Sequence, residues 1–223
     1  MAGPALNAIE TWVFDLDNTL YEASTDLFTQ VQARIITFLR ERFGLDEQQA
    51  LAMRKELFRG HGTTLRGLMR EHDVQPEAFL AYVHDVDFSV LEARPDLAAA
   101  IAALPGRKLV FTNADIAYAR RVLARLGFDD LFDGVFGIVE SGYAPKPQRA
   151  AFDRFIETYR FDPARALMAE DMAINLVPAH ALGMTTLWVE TDEVFAREGA
   201  DLAHIHHRTR DLAAWLREVV TVR

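Results

Sequence analysis

The 223-residue sequence predicts an α/β protein: a Rossmann-like parallel sheet covered by helices, with a helical cap inserted after the first strand. Three observations carry this. Short apolar runs alternate with segments of 3.6-residue periodicity, the pattern of buried parallel strands and their crossover helices. One long block, about residues 21–94, breaks the alternation with helix-rich sequence nearly free of strand-like runs. A pair of acids, Asp15 and Asp17, leaves the first apolar run where a strand would surface from its sheet.

That first strand is read at Thr11-Trp12-Val13-Phe14. The block behind it has amphipathic stretches at 27–43, 48–58 and 65–69, and it follows the acidic turn at once, so it reads as a lid hinged at the edge of a site. Pro95 and Pro105-Gly106 punctuate the return to the sheet. Leu109-Val110-Phe111 is the second strand. A helix carrying Ile116, Ala119, Val122, Leu123 and Leu126 follows and stops at Gly127. The third strand is read at Gly134-Val135-Phe136-Gly137-Ile138, with a helix carrying Phe152, Phe155, Ile156 and Tyr159 behind it. Leu167-Met168-Ala169 is the fourth, followed by a helix with Leu176, Ala179 and Leu182 that ends near Gly183; Thr185-Thr186-Leu187-Trp188-Val189 is the fifth. Trp12, Trp188 and Trp215 sit in apolar runs and read as core. The division expected is a core of residues 1–20 and 95–223 and a cap of 21–94. Right-handed crossovers place any site outside the carboxyl ends of the strands, where strand order reverses.

Composition narrows the function classes. Half of the residues are hydrophobic and 26% are charged, an ordinary soluble balance. With 24 basic and 33 acidic residues the net charge is −9, which disfavours nucleic acid polymers and anionic membranes. A small phosphorylated substrate is compatible with that charge if a local positive pocket receives it. There is no cysteine, which excludes disulfides, thiolate metal sites and cysteine nucleophiles and fits a reducing compartment. The first seven residues lack the basic start and apolar stretch of a signal peptide, and no run approaches the roughly 20 apolar residues of a membrane span. A cytoplasmic protein, monomer or homodimer, is expected.

In extended structure residues i and i+2 point the same way, so Asp15 and Asp17 face one small volume if strand geometry persists. Two unit charges about 4 Å apart repel by roughly 4 kcal/mol at an effective dielectric near 20, so a cation or a proton is required nearby. A nucleophilic carboxylate beside an acid/base carboxylate, bridged by a divalent cation, explains the pair. A solvated acidic turn or a plain D-x-D metal site also fits these five residues. Thr112-Asn113-Ala114-Asp115, at the end of the second strand and the start of a helix, makes an anion site; Asn113 or Asp115 can equally be a helix cap. Lys146 stands between Pro145 and Pro147, which restrict its backbone and suit a fixed positive charge aimed at a phosphoryl group and a carboxylate. Asp171 and Asn175, four apart behind the fourth strand, share a face if a helix starts there. Their oxygens suit a hard cation such as Mg²⁺, although an acidic helix cap is the simpler reading of Asp171 alone.

Taken in this order, each at a strand's carboxyl end, these elements resemble the haloacid dehalogenase superfamily of phosphohydrolases over nearly the full chain. Asp15-Leu16-Asp17-Asn18-Thr19 matches the first motif, Thr112 the second, Lys146 the third, and Glu170-Asp171 with Asn175 the fourth. Phe14 to Tyr21, Gly62-Thr63-Thr64-Leu65-Arg66-Gly67, Phe111-Thr112-Asn113-Ala114 and Glu170-Asp171-Met172 are most similar to the pyrimidine 5′-nucleotidase branch. Glu170 departs from the pair of aspartates that often opens the fourth motif, and it is expected to hold a metal-bound water or Lys146. The resemblance implies a Mg²⁺-dependent phosphatase of small monoesters, with pyrimidine nucleoside 5′-monophosphates as the expected substrates. Asp15 would be nucleophile and Asp17 general acid/base, while Asp15, Thr112, Asn113 and Lys146 hold the phosphoryl group. Asp15, Asp17 and Asp171 would serve the metal, with Glu170 and Asn175 behind them. Tyr21, His61, Thr63, Thr64 and Arg66 are the cap residues expected to meet the substrate.

A sugar-phosphate phosphatase or phosphomutase is the alternative on the same machinery. A 2-haloacid dehalogenase needs neither metal nor an acid at Asp17, and an inherited scaffold without activity needs none of the set. His204, His206 and His207 are read as the solvated face of a late strand rather than a zinc site. Arg120, Arg121 and Arg125 are read as a solvated helix face.

Overall fold

The computed structural model describes residues 6–197 and 202–222. Six parallel strands form one sheet: β1 (Thr11–Phe14), β2 (Arg107–Phe111), β3 (Gly134–Phe136), β4 (Ala166–Glu170), β5 (Thr185–Val189) and β6 (His207–Thr209), in the order β3-β2-β1-β4-β5-β6. The chain builds outward from β1 through β2 to β3, then restarts on the other side of β1 at β4. Strand order therefore reverses around β1. Val13 lies level with Leu109 and with Met168, so the carboxyl ends of β1, β2 and β4 finish side by side.

All of β1 is buried, as a central strand covered on both faces must be. Trp12 and Phe14 point to one face, with Leu97 of α5 (Pro95–Ala102), Val122 of α6 (Ile116–Leu126) and Leu216 of α9 (Leu212–Val222). Val13 points to the other, with Phe152 and Phe155 of α7 (Arg149–Tyr159) and Leu176 of α8 (Leu176–Ala181). The Trp12 indole N–H donates to the Pro105 carbonyl at 2.9 Å. Gly106 (φ +77°) leaves no room for a side chain there, since a Cβ would lie 2.2 Å from the Glu10 carbonyl oxygen.

Between β1 and β2 the described residues hold helices and no strand. Four of the helices form an insertion: α1 (Leu27–Phe43), α2 (Glu47–His61), α3 (Thr64–Glu71) and α4 (Pro76–Val83). Each boundary has a local cause. Gly44 closes α1 in the left-handed conformation, Asp46 and Gln49 form a capping box on α2, Thr63 caps α3, and Pro76 opens α4. Leu39, Leu57, Leu68, Phe79 and Val83 make a cluster of their own, joined from the sheet side by Ile138. No described helix is long and apolar enough to cross a membrane.

Three readings of the sequence are corrected. β3 ends at Phe136 rather than Ile138, because the Ile138 N–H turns to the Ala114 carbonyl and its side chain joins the insertion's cluster. His204 is buried, not solvated: its ring Nε2 lies 2.9 Å from the Ala173 carbonyl, and His206 Nδ1 accepts the Thr186 N–H at 3.0 Å. Arg121 and Arg125 are exposed but not idle. Arg121 covers the Phe88 ring, and Arg125 donates to the Phe88 and Leu91 carbonyls, pinning the return segment of the insertion to α6.

Candidate active site

Asp15 is the first residue past β1. Its N–H donates to the Ala169 carbonyl at 2.9 Å, which continues the β1–β4 ladder and aims the side chain between the strand ends. Oδ1 accepts from Lys146 Nζ at 2.6 Å, and Oδ2 accepts weakly from the Thr19 hydroxyl at 3.3 Å. Lys146 arrives from the loop after β3 and spends all three ammonium protons: on Asp15, on Glu170 Oε2 at 2.6 Å and on the Phe111 carbonyl at 2.8 Å. Its backbone is held by Asn113, whose side chain accepts the Lys146 N–H at 2.8 Å and donates to its carbonyl at 3.2 Å. Asn113 thus positions the lysine with the amide that the sequence had assigned to phosphate.

Asp171 is buried beside Glu170, and its backbone carbonyl accepts the Trp188 indole N–H at 2.6 Å. The chain there makes a 3₁₀ turn (Ala173–Asn175) before α8, so the helix starts later than expected; Asp171 and Asn175 nevertheless line the same cavity. Thr112, also on the cavity, accepts the Ala114 N–H through its hydroxyl oxygen, which leaves the hydroxyl proton free to donate.

Asp15, Glu170 and Asp171 present carboxylate oxygens that all lie within 4.8 Å of one another. Burial pushes the Asp15 carboxyl up to about 7, Glu170 adds to that, and Lys146 opposes it. Burial, then the charges of Glu170 and Asp15, raise Asp171 well above the ordinary range. Burial would favour neutral Lys146, but the two carboxylates outweigh it and hold its pKa above the usual value. Three buried acids facing one ammonium cannot all ionise without a further positive charge, so they hold protons that a cation would displace, and the donors are all oxygens. That set fits a hard divalent cation.

Asp17 stands apart from this cluster. Tyr21 and Tyr118 both donate to its Oδ1, at 2.5 and 2.8 Å, and leave Oδ2 unengaged by either phenol. Its carboxyl is engaged by the two tyrosines and lies outside the carboxylate cluster, in which Glu170 stands beside Asp15 and Asp171. Burial raises the Asp17 carboxyl, while the two phenols pull it back down. The Tyr118 ring stacks on His84 at 4.3 Å between centroids, and His84 Nδ1 meets Asp115 Oδ2 at 2.6 Å. Asp115 also caps α6, accepting the Tyr118 N–H at 2.8 Å.

Over these groups lies a cavity of about 190 Å³. Its floor is the set at the strand ends, and its far wall is the insertion. Of the five cap residues expected at the substrate, Thr63 and Thr64 line it. Tyr21 is turned onto Asp17, His61 pairs with Glu71 at 2.5 Å, and Arg66 lies outside the lining. Tyr118, His84, Gln32 and Arg54, none of them anticipated, do line it. Tyr118 had one signal available: it shares a helix face with Val122, so it sits at the strand-end limit of a buried stripe.

This fold and this cluster define a hydrolase of the haloacid dehalogenase type. The haloacid dehalogenase-like hydrolase family model matches residues 9–183, and the chain belongs to that family. It is similar to phosphate metabolism protein 8 of Saccharomyces cerevisiae, 24% identical over 237 residues that cover 96% of this chain and 72% of the relative. Among solved structures it is similar to a HAD phosphatase from Thermococcus onnurineus (19% identity, TM-score 0.65, 95% and 98% of the two chains). It is also similar to the L-2-haloacid dehalogenase of Xanthobacter autotrophicus (19%, 0.59, 95% and 98%). The fold is thus shared by phosphatases and dehalogenases, and the choice between them rests on the site.

Proposed function

We propose that the protein is a magnesium-dependent phosphatase of small phosphate monoesters, with pyrimidine nucleoside 5′-monophosphates as its substrates, and that residues 21–94 cap a core of 1–20 and 95–223. The observation that carries this reading is the division of labour between two acids. Asp15 is joined to a lysine and an acidic cluster, while Asp17 is held by two phenols on the same cavity. A dehalogenase attacks carbon and expels halide, which needs neither a second acid nor a surplus of carboxylates. The names of the yeast relative and of the Thermococcus structure point the same way.

In the first half-reaction an Asp15 oxygen attacks phosphorus and the bond to the leaving oxygen breaks, giving an aspartyl-phosphate. Asp17 hands its proton to that departing oxygen. In the second, Asp17 takes a proton from a water molecule, the water attacks phosphorus, and the bond to Asp15 breaks. The Thr112 hydroxyl donates to the phosphoryl oxygens, and Lys146 contributes its positive charge while its protons stay on Asp15, Glu170 and the Phe111 carbonyl. Asp15 and Asp171, with Glu170 and Asn175 beside them, would hold the divalent cation, which supplies charge neutralisation between an anionic nucleophile and an anionic ester. A panel of phosphate esters assayed with magnesium and with chelator tests the proposal. Phosphate release that requires magnesium supports it, and release of halide from 2-haloacids in chelator would overturn it.

The acidic cluster also predicts a stability signature independent of turnover. Folded Asp15 titrates near 7 against 3.8 for the free residue, so the folded protein holds a proton that the unfolded chain has released. That stabilisation is complete below about 3.8 and is lost as pH rises through about 7. The rise in melting temperature on adding magnesium should therefore be larger on the alkaline side of this window than on the acid side. An equal or absent response on both sides would argue against a cation at Asp15 and Asp171.

A further inference from the structure

The cap-side wall of the cavity repeats one arrangement on two helices. Phe28 and Gln32 stand one turn apart on α1, and Arg54 and Phe58 stand one turn apart on α2, all four lining the cavity. Each helix thus offers an aromatic ring beside a polar head. Phe58 is 48% exposed, unusual for a phenylalanine with no role in the insertion's cluster.

The polar heads are unspent. Among the described residues neither the Gln32 nor the Arg54 side chain makes a hydrogen bond or an ion pair. The chain has 33 acids, so an arginine without one is not explained by scarcity. Arg34, two positions beyond Gln32, pairs with Asp85 and with the Tyr82 carbonyl. Arg54 is half-buried, and burial pulls its guanidinium down from the usual value with no acid to offset it. A desolvated cation of this kind costs stability until a ligand supplies its acceptor.

We infer that Arg54 and Gln32 read the far edge of the leaving group, and that this edge is a carbonyl-bearing face of a flat, otherwise apolar ring, such as a pyrimidine base presents. The guanidinium supplies donors only, the Gln32 amide supplies both a donor and an acceptor, and Phe28 and Phe58 offer surfaces to a planar ring. This rests on the phosphatase reading above and adds the recognition element to it.

The test compares wild type, Arg54→Ala, Arg54→Lys and Gln32→Ala on uridine 5′-monophosphate, ribose 5-phosphate, phosphoglycolate and phenyl phosphate, with magnesium present. Arg54→Ala should lose about 10- to 100-fold in kcat/KM on uridine 5′-monophosphate, chiefly through KM, the loss expected of a charge-assisted hydrogen bond. Arg54→Lys should recover part of it and Gln32→Ala should lose less. Ribose 5-phosphate and phenyl phosphate, which lack the base edge, should be unchanged. Equal losses on all four esters, no loss on any, or a loss confined to phosphoglycolate would overturn the inference, the last by making the ligand a carboxylate. A wild type that hydrolyses none of the four would overturn the phosphatase reading itself, and the inference with it.

Discussion

Replacing Asp15 with asparagine should abolish turnover, by at least about 10⁴-fold in kcat, with substrate binding still measurable. The amide is nearly isosteric but is a poor nucleophile. Folding should survive and can improve. The wild-type carboxyl is pushed up to about 7 by burial and by Glu170, so at neutral pH without metal its charge is held at a cost. The amide oxygen still accepts from Lys146, whose remaining contacts with Glu170 and the Phe111 carbonyl keep it in place. The melting temperature of Asp15→Asn in chelator should therefore equal or exceed that of the wild type. Retained turnover would remove Asp15 as nucleophile. Lost turnover with a collapsed fold would assign it a structural role instead.

Asp17→Asn should produce a loss that depends on the leaving group. General acid catalysis contributes about 10²- to 10⁴-fold, and only where the departing oxygen needs a proton. Alkyl esters should lose that much, whereas phenolic esters should lose far less. The carboxamide can still accept both phenols at its oxygen, so position is kept while the proton is removed. Tyr118→Phe makes the complementary change, leaving the proton and loosening the carboxyl. It should reduce turnover of alkyl esters several-fold, in line with one hydrogen bond of about 1 kcal/mol, and spare phenolic ones. Equal losses for both ester types would remove Asp17 as the acid and Tyr118 as the residue that positions it.

The parts of this site legible in the sequence are those set by position along a strand. Trp12 to Phe14 is apolar throughout, so the chain leaves the sheet at Asp15; the same logic placed Thr112 and Glu170-Asp171 at strand ends. Lys146 was marked by its flanking prolines. What stayed hidden depends on contacts between distant segments. Nothing around Tyr118 in sequence indicates that its hydroxyl crosses 101 positions to Asp17. The Asn113 side chain reaches the Lys146 backbone only because the two loops meet. Arg54 and Arg66 read alike in the sequence, as arginines on amphipathic helices, but only Arg54 lines the cavity. The short strand β6 carries His207, Arg208 and Thr209 at a sheet edge, where polarity is tolerated and the hydrophobic signal vanishes.

The mechanism stands on a phosphoryl group carried on Asp15. Acid quenching of Asp17→Asn during turnover of phenyl phosphate with magnesium, followed by intact-protein and peptide mass analysis, tests it most directly. That variant lacks the base for the second half-reaction, so the intermediate should accumulate. One added phosphoryl group per chain is expected, mapped to Asp15, absent in chelator and absent when Asp15 is also changed to asparagine. Phosphate release with no covalent adduct at any time, or an adduct on a residue other than Asp15, would contradict it.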